Sequence, residues 1–415
     1  MPGPTAYFNP ADAGTLDPAT SELVERRMRV LGPAYRLFYE EPVQFVRGSG
    51  TKLYSADGTE YLDAYNNVPS VGHAHPRVAA AIAQQAARLV THTRYLDRAL
   101  VDYAEDLLGE FPEALGNVMF TCTGSEANDL ALRIAKAASG GTGVIITENA
   151  YHGVTTEVAA ISPSLGGLDS LAPWARVVPA PGDGDFAHDV SAAVADLIDS
   201  GIQPAALIVD TIFASDGVRP EVPGFADAVD TVRTAGGLFI ADEVQPGFGR
   251  LGTGMWGFAR HDLLPDLVTL GKPMGNGHPV AAVIARPDLL AAFGRQARYF
   301  NTFGGSSVSI AAAQATLDVL RDENLVENAR VVGEYLMEQL PGIAGVVEVR
   351  GSGLFIGVRV AGEHVALGAV NDLKRRHILL GESGRDNDVL KIRPPLVFSR
   401  ADADRLLEGL EAVLA

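Results

Sequence analysis

Short apolar segments alternate with helical segments along the middle of this 415-residue chain, from about residue 118 onward. The apolar segments are rich in Val, Ile and Leu, and they read VIIT, AALIVD, LFIAD, LVTLG and VAAVIA. Segments that are apolar throughout are typical of strands buried on both faces, and the helices between them provide the crossovers that parallel strands need. The pattern predicts an α/β domain with a mostly parallel central sheet that is covered by helices on both faces.

The length of the chain and the change of pattern along it indicate two domains and an N-terminal arm. We predict an arm over residues 1–45 that packs with the small domain and contains a helix from about residue 21 to residue 36. A large domain is predicted over residues 46–305. A smaller α+β domain is predicted over residues 306–415, because a long alanine-rich helix is followed there by two strand-like segments.

The formal net charge is −18, and Cys122 is the single cysteine. An acidic chain is a poor ligand for nucleic acid or for an anionic membrane surface, so we predict neither as a partner. A single cysteine permits no internal disulfide, which suits a reducing compartment. The sequence contains neither a long apolar stretch nor a signal-peptide pattern, and we therefore expect a cytoplasmic protein. We predict no metal site.

Two predicted strands end on residues that could bind a planar anionic ligand. In TGSEAN (123–128), Gly124 permits a tight turn before a helix, and Ser125 offers a hydroxyl and a backbone N–H. The N-terminus of a helix binds phosphate well, although the same residues would also suit an ordinary N-cap turn. In ENAYHG (148–153), Tyr151 could stack on a flat ligand, or could simply pack at the rim of a pocket.

Two further strands end on charged residues. Asp242 follows an apolar segment, so its carboxylate should be largely removed from water and should need a cationic or hydrogen-bonding partner. Gln245 follows three residues later and could reach the same ligand. Lys272 lies in LVTLGKPMGNG, and burial would lower its pKa and leave a nucleophilic amine. A structural ion pair remains an alternative for both charged residues.

An anion site, an aromatic ring, a buried carboxylate and a buried lysine together have one economical explanation. Pyridoxal 5′-phosphate needs a lysine to carry it, a carboxylate beside its ring nitrogen and an anchor for its phosphate. The carboxyl ends of parallel strands meet at one edge of a sheet, where ligands of such folds bind. The sequence therefore predicts a pyridoxal-phosphate site at this edge, with Lys272 and Asp242 as its catalytic residues.

The sequence resembles a known family, the fold-type-I, class III aminotransferase-like pyridoxal-phosphate enzymes. The resemblance extends over nearly the whole chain and is carried by TGSEANDLALR, AYHG, FIADEVQPGFGR, LGKPMGNGHPV and YFNTFGGSSVS. It implies that Lys272 carries the cofactor and that Asp242 is the partner of the ring nitrogen. The other cofactor contacts that it implies are Gly124 and Ser125 with the phosphate, Tyr151 with the ring face, Gln245 near the ring hydroxyl, and Thr302 with the phosphate in a neighbouring subunit. The last contact implies a homodimer with shared active sites.

Three positions depart from the pattern of the family's aminotransferases. These enzymes usually have an arginine shortly before the Pro-Pro of the C-terminal strand, where it binds the substrate carboxylate through two hydrogen bonds. This chain has Lys391 there, followed by Arg393 at a position that is usually small and apolar. Many members also have a glutamate that covers the arginine, and Ser215 aligns with it. A lysine lacks the planar fork of arginine, so the exchange changes what the pocket can bind. An aminotransferase that uses amine donors remains an alternative explanation.

The segments GKPMGNGHPV, YFNTFGG and RYLDRALVDYAEDL are similar to those of phospho-lyases that act on O-phosphoethanolamine or 5-phosphohydroxylysine. The phosphate of such a substrate needs cations, and our candidates for substrate binding are Arg94, Lys391 and Arg393, with Asn67 as a neutral donor. Each arginine could instead be a solvated surface charge. We therefore predict a phospho-lyase, with a class III ω-aminotransferase as the alternative. A regulatory protein without activity is disfavoured, because Lys272 is present and no basic DNA-binding segment precedes the fold.

Overall fold

The structure is a computed structural model that describes residues 7–182, 184–362, 365–384 and 386–415. Residues 1–6 of the predicted N-terminal arm lie outside the described residues. The strands of the described ranges, β1 to β15 in chain order, are Phe45–Ser49, Lys52–Ser55, Glu60–Asp63, Asn117–Thr121, Gly143–Thr147, Ala175–Val178, Pro204–Asp210, Leu238–Asp242, Leu267–Leu270, Ala281–Ala285, Val346–Ser352, Phe355–Val360, Ile378–Leu379, Gly381–Ser383 and Val389–Ile392.

Helices fill most of the segments between these strands. The α-helices of the described ranges, α1 to α13, are Pro18–Leu31, Pro76–Arg88, Arg98–Leu108, Gly124–Ser139, Thr156–Ala159, Pro163–Gly166, Phe186–Asp199, Phe225–Thr234, Pro287–Gln296, Ser307–Asp322, Leu325–Gln339, Val365–Arg375 and Arg400–Leu414. Short 3-10 helices cover Pro10–Thr15, Leu168–Ser170, Gly257–His261, Lys272–Gly275 and Leu340–Gly342. None of these helices combines the length and the apolar character that crossing a membrane requires.

The first helix differs from its predicted bounds. The sequence predicts a helix from about residue 21 to residue 36, whereas α1 covers Pro18–Leu31. Asp17 begins the helix because its carboxylate accepts hydrogen bonds from two N–H groups of the first turn. The helix ends at Gly32, whose φ of 70° lies in the left-handed region, and the proline that follows cannot continue the helix.

The central sheet within the described residues has seven strands in the order β4-β10-β9-β8-β7-β5-β6. Strands β9, β8, β7, β5 and β6 are parallel, and β10 runs antiparallel to both of its neighbours. This arrangement confirms the predicted α/β class and the mostly parallel sheet. Alternate residues of each strand belong to different apolar layers, as Leu207 and Ile208 of β7 show. Helices α4 and α9 contribute to one layer, and α7 and α8 to the other, which explains why these strands are apolar throughout.

The register of the sheet brings the ends of the central strands together. Asp210 at the end of β7 pairs with Asp242 at the end of β8, and Asp242 pairs with Thr269 of β9. Lys272 follows β9 by two residues, and α4 begins at Gly124 after β4. The polar residues that follow the strands therefore lie at one edge of the sheet, as the sequence predicts for a parallel arrangement.

Two smaller four-stranded sheets lie outside the central sheet in the described chain. One is antiparallel, in the order β11-β12-β15-β14, and its strand β15 ends just before Arg393. The other has the order β1-β2-β3-β13, and its β3 and β13 are parallel, with Leu62 opposite Ile378. Residues 45–63 thus pair with a strand of the C-terminal third. The division of the chain into domains stays a prediction.

Candidate active site

A cleft opens at the carboxyl edge of the central sheet, where the ends of β4, β5, β7, β8 and β9 meet. The cavity within it has a volume of about 160 Å³. The residues that line it are Gly124, Ser125, Asn128, Tyr151, His152, Gly153, Asp210, Asp242, Val244, Gln245 and Lys272. Six of the residues predicted from the sequence therefore line one cleft, although they come from four separate segments of the chain.

The predicted phosphate turn lies at the N-terminus of α4. The helix is capped by Thr123, whose hydroxyl accepts a hydrogen bond from the Glu126 N–H at 3.1 Å. Gly124 and Ser125 form the first turn, and the first N–H groups of a helix have no acceptor within the helix. These N–H groups and the positive end of the helix dipole give the turn the properties of an anion site.

Glycine is required where the segment after β5 approaches the first turn of α4. Gly153 has a φ of 136°, and a Cβ atom there would lie 2.3 Å from the Ser125 hydroxyl oxygen. That hydroxyl accepts a hydrogen bond from the Val154 N–H at 3.1 Å, so the turn of α4 and the segment after β5 support each other. A Cβ atom at Gly271 would lie 3.3 Å from the Gly124 Cα. The backbones around the predicted phosphate turn therefore approach closely.

Asp242 is buried and held by several donors. One carboxylate oxygen accepts hydrogen bonds from Asn128 Nδ2 at 2.9 Å and from His152 Nδ1 at 2.8 Å. The other accepts from the Val244 N–H at 3.1 Å. Burial opposes ionisation, but the hydrogen bond and charge of His152, with the hydrogen bond from Asn128, outweigh it and lower the pKa of Asp242 below its usual value. The carboxylate is thus kept negative at the base of the cleft.

Asn128 and His152 are cleft residues that we did not predict. Asn128 lies one turn into α4, and its orientation is fixed because its side-chain oxygen accepts a hydrogen bond from Thr269 at 2.6 Å. His152 directly follows the predicted Tyr151, and its Nδ1 must carry the proton in order to donate to Asp242. The signal for both was present in TGSEAN and AYHG. A buried carboxylate needs donors, and these segments supply polar residues beside it.

The carboxylate that follows Asp242 has a different role. Glu243 is fully buried and accepts hydrogen bonds from the Thr211 hydroxyl and from the N–H groups of Gly257 and Phe258. It is not among the residues that line the cleft. Burial raises the pKa of Glu243 to about 7 despite these bonds. Of the two adjacent acids, Asp242 is therefore the one that lines the cleft.

Lys272 projects into the cleft from the turn after β9. Its Nζ lies 6.0 Å from the centre of the Tyr151 ring and has no hydrogen-bond partner within the described parts of the chain. Burial, reinforced by the positive charge of Arg393, lowers the pKa of Lys272 to about 8. A substantial fraction of the amine is therefore neutral near physiological pH, as a nucleophile or a base requires.

Lys391 in β15 and Arg393 just after it lie close enough to Lys272 for the charges to influence one another. Lys391 is buried in β15, and burial together with Arg393 lowers its pKa to about 7. The guanidinium of Arg393 donates a hydrogen bond to the Gln245 side chain and lies over the Tyr65 ring, 4.6 Å from its centre. Both cations therefore point toward the interior of the protein near the cleft rather than toward solvent.

Asp210 supplies a second carboxylate that we did not predict. It accepts hydrogen bonds from the N–H groups of Ile212 and Ala214. Burial and the neighbouring charge of Asp242 raise the pKa of Asp210 to about 6. It ends the segment AALIVD in the same way that Asp242 ends LFIAD, so the strand-end rule that identified Asp242 would also have found it.

The remaining predicted residues lie outside the cleft lining. Asn67 is buried, and its Nδ2 has no hydrogen-bond partner among the described residues. Arg94 is exposed, with its guanidinium 3.7 Å from the centre of the Phe300 ring. Thr302 is also exposed, two residues beyond Phe300. Ser215 is half-buried and contributes no carboxylate. The substrate and cofactor roles of Asn67, Arg94 and Thr302 stay predictions.

The residues of the cleft fit pyridoxal phosphate. A lysine amine without a partner in the described chain faces a held carboxylate across the cleft, and a glycine-lined helix N-terminus lies at one end. His152 Nε2 and Arg393 Nε are buried without partners in the part of the chain that the structure describes. Lys272 would hold the cofactor carbon that reacts with amines, and Asp242 would hold the ring nitrogen. The turn of α4 would hold the phosphate.

Comparison with known proteins agrees with this geometry. The sequence model described as "Aminotransferase class-III" matches residues 38–414. The chain belongs to the class III aminotransferase family. Its relatives include an alanine–glyoxylate aminotransferase 2-like protein of Drosophila melanogaster, 38% identical, with 95% of this chain and 87% of the relative covered. An ethanolamine-phosphate phospho-lyase homologue of Caenorhabditis elegans is 35% identical, with 98% and 96% covered.

Among solved structures, the chain is similar to a phospholyase from Arthrobacter in complex with phosphoethanolamine. The two share 42% identity with a TM-score of 0.91, and the match covers 94% of this chain and 99% of the other. Family membership and the geometry of the cleft together confirm the fold type and make pyridoxal 5′-phosphate the cofactor of this class III aminotransferase family member.

Proposed function

We propose that this chain is a pyridoxal-phosphate-dependent phospho-lyase that eliminates phosphate from a phosphorylated amine such as O-phosphoethanolamine. The products would be an aldehyde, ammonia and phosphate. The observation that carries the proposal is the pair of cations, Lys391 and Arg393, beside Lys272 at a position where aminotransferases of the family bind a carboxylate. A pair of cationic side chains favours a ligand with more than one negative charge, such as a phosphate monoester. A bound anion would in turn raise the pKa of Lys391 from about 7 and keep its amine protonated.

The comparisons support the same substrate class. The Arthrobacter phospholyase was solved with phosphoethanolamine. The Caenorhabditis elegans relative is named as an ethanolamine-phosphate phospho-lyase homologue. Phosphoethanolamine has no carboxylate. Its binding therefore does not need the carboxylate-binding arginine of the family's aminotransferases or the glutamate that covers that arginine. Ser215 and Lys391 are consistent with such a pocket.

Lys272 would be the base of the reaction. When bound, pyridoxal phosphate supplies a ring that withdraws electrons from the substrate carbon attached to nitrogen. Lys272 Nζ, neutral in part because its pKa is about 8, would take the proton from that carbon. Asp242, held ionised by its donors, would keep a compensating negative charge at the base of the cleft while the carbon loses its proton.

Lys391 and Arg393 would bind the phosphate ester and stabilise the charge that develops on the leaving oxygen. As the carbon–oxygen bond breaks, its electron pair leaves with the phosphate, and the pair left by the removed proton forms a carbon–carbon double bond. The resulting enamine takes up water to give acetaldehyde and ammonia from phosphoethanolamine. Asn67, with its unpartnered Nδ2, would donate a hydrogen bond to the substrate.

We also propose that the active enzyme is a cytoplasmic homodimer with shared active sites. Thr302 is exposed and lies outside the cleft of its own chain. The surface around it carries exposed apolar side chains, including Leu96 and Phe303, and such a surface suits a protein partner. Thr302 would contact the cofactor phosphate in the partner's cleft. Arg94, on the same surface, would approach the partner's substrate rather than its own.

The direct test is to incubate the protein, loaded with pyridoxal phosphate, with O-phosphoethanolamine and no keto acid. Release of phosphate, acetaldehyde and ammonia in equal amounts is expected. A Lys272→Ala variant should release none, which controls for a contaminating phosphatase. If phosphate appears without acetaldehyde, or if the Lys272→Ala variant is as active as the wild type, the proposal is wrong.

An ω-aminotransferase is the second candidate, because the Drosophila relative is an aminotransferase 2-like protein. Both reactions begin with removal of the same proton, so the residues around the cofactor do not distinguish them. An aminotransferase needs a keto acid as the amino acceptor and releases no phosphate. Turnover that depends on pyruvate or glyoxylate, without phosphate release, would therefore favour this function over the lyase.

A further inference from the structure

Arg250 is a buried charge that the proposed reaction does not use. Its side chain is only 1% exposed, in the segment that follows β8. Its Nη1 donates hydrogen bonds to the Leu354 carbonyl at 3.0 Å and to the Pro394 carbonyl at 2.7 Å. Its Nε and Nη2 have no partner in the described ranges. An incompletely paired guanidinium in the interior is costly, so its presence calls for a role.

The backbone around Arg250 packs tightly against the hairpin between β11 and β12. The Leu354 N–H donates to the Arg250 carbonyl at 3.0 Å. A Cβ atom at Gly353 would lie 2.5 Å from the same carbonyl oxygen. Arg250 therefore joins three segments: the loop after β8 that also carries Gln245, the β11–β12 hairpin, and the Pro-Pro that follows β15.

Arg393 directly precedes the proline whose carbonyl Arg250 holds. Its backbone N–H donates to the Ala64 carbonyl at 3.0 Å, and its guanidinium is held between Gln245 and the Tyr65 ring. The two guanidiniums are close enough to repel each other. After burial itself, the charge of Arg393 is the larger cause that lowers the pKa of Arg250, to about 9, and Asp63 partly opposes the shift.

We infer that Arg250 is a positioning residue for Arg393. By holding the Pro394 carbonyl it fixes the backbone that carries Arg393, and by its charge it directs the Arg393 guanidinium toward Gln245 and the cleft. This inference rests on the proposed function, in which Arg393 binds the substrate phosphate. A phosphate that enters the cleft would relieve the repulsion between the two arginines, so the buried charge favours an anionic ligand without touching it.

The test measures the dissociation constant of inorganic phosphate for the holoenzyme by isothermal titration calorimetry, because phosphate binding requires no turnover. Arg250→Met should weaken binding at least tenfold, and Arg250→Lys, which keeps the charge but not the two hydrogen bonds, should weaken it less. The absorbance of the bound cofactor should not change. In an Arg393→Met background, Arg250→Met should have little further effect, because the residue whose position it sets is already lost.

Arg260 provides a matched control. It also joins the β11–β12 hairpin to another segment, through the Ser352 hydroxyl at 2.8 Å and Glu221 at 2.9 Å, but it makes no contact with Arg393 among the described residues. Arg260→Met should reduce thermal stability and leave phosphate binding unchanged. If Arg250→Met does not fold, the same comparison is made with Arg250→Lys, alone and combined with Arg393→Met.

Three results would overturn the inference. One is an Arg250 variant that binds phosphate as tightly as Arg260→Met does. The second is additive weakening by the Arg250 and Arg393 substitutions. The third is loss of cofactor absorbance in Arg250→Lys, which would place its effect at the cofactor instead. The proposed function is tested by a separate measurement. It is wrong if the wild-type protein releases no phosphate from O-phosphoethanolamine.

Discussion

Replacing Gly153 by alanine tests whether the segment after β5 shapes the phosphate turn. A Cβ atom at this position would lie 2.3 Å from the Ser125 hydroxyl oxygen and 2.8 Å from the Ser125 Cα, which is backbone and cannot rotate away. The φ of 136° is also unfavourable for a residue with a Cβ atom. Backbone strain of this kind costs about 1–3 kcal/mol and overpacking about 1–3 kcal/mol more. We therefore expect Gly153→Ala to lose about 2–6 kcal/mol of folding free energy.

The larger effect should be on the cofactor, because Ser125 must move to make room. Loss of one hydrogen bond to a charged phosphate costs about 1.5–3 kcal/mol, and since about 1.4 kcal/mol is a factor of ten, the dissociation constant should rise roughly tenfold to more than a hundredfold. Titration of the apoprotein with pyridoxal phosphate, followed by absorbance, measures this constant. Urea denaturation of the apoprotein measures the change in stability.

Gly140 is a suitable control because it lies at the other end of α4. Its φ is 70°, and nothing lies within 4 Å of the place where its Cβ atom would be. Gly140→Ala should therefore show backbone strain alone, roughly 1–2 kcal/mol, with unchanged cofactor affinity. If the two variants lose equal stability and bind the cofactor equally well, the steric argument about Gly153 is refuted.

Three further predictions concern charge. Only the neutral Lys272 amine can react, so the rate of cofactor attachment to the apoprotein, followed by absorbance, should rise with pH through about 8 and then level off. Arg393→Met removes a positive charge and should shift this pH profile to higher pH. An unshifted profile would contradict the effect of the Arg393 charge on the pKa of Lys272. The double variant Lys391→Arg, Ser215→Glu has the arginine and glutamate of the family's aminotransferases. It should release phosphate from O-phosphoethanolamine at least tenfold more slowly and should favour amino donors that carry a carboxylate. Unchanged substrate specificity would show that these two positions do not select the substrate. Because the pKa of Glu243 is raised to about 7 in the folded state from its usual 4.5, the folded protein binds the extra proton between these values, and its contribution to stability should fall as pH rises from 4.5 to 7. Glu243→Gln should flatten this part of the urea-denaturation profile, and a profile as steep as that of the wild type would exclude Glu243 as its source.

The cofactor side of the cleft was predictable because it depends on a local rule. A residue at the carboxyl end of a parallel strand lies at the ligand-binding edge, so Asp242 and Lys272 could be placed from their own segments and the predicted sheet. Asp210 obeys the same rule, since it ends AALIVD as Asp242 ends LFIAD, although we did not predict it. Asn128 and His152 lie in TGSEAN and AYHG, but only the structure shows that they are the donors to the Asp242 carboxylate.

The substrate side was less predictable because it depends on contacts between distant parts of the chain. Arg393 lies over Tyr65 and donates its N–H to Ala64, contacts that span more than 300 residues of sequence and follow from the pairing of β3 with β13. Nothing local in either segment specifies that pairing. Arg94 illustrates the same point, since its sequence shows a cation near an aromatic-rich segment but does not show that it lies on the exterior of its own chain.

The pairing of β3 with β13 also has a consequence for how the protein matures during synthesis. The strands and helix that surround the cofactor lie between residues 117 and 285, so a chain still attached to the ribosome could complete that region early. Arg393, whose guanidinium lies over the Tyr65 ring, is added to the chain more than 300 residues after Tyr65. If Arg393 binds the substrate as proposed, a growing chain could bind the cofactor before its substrate site is complete.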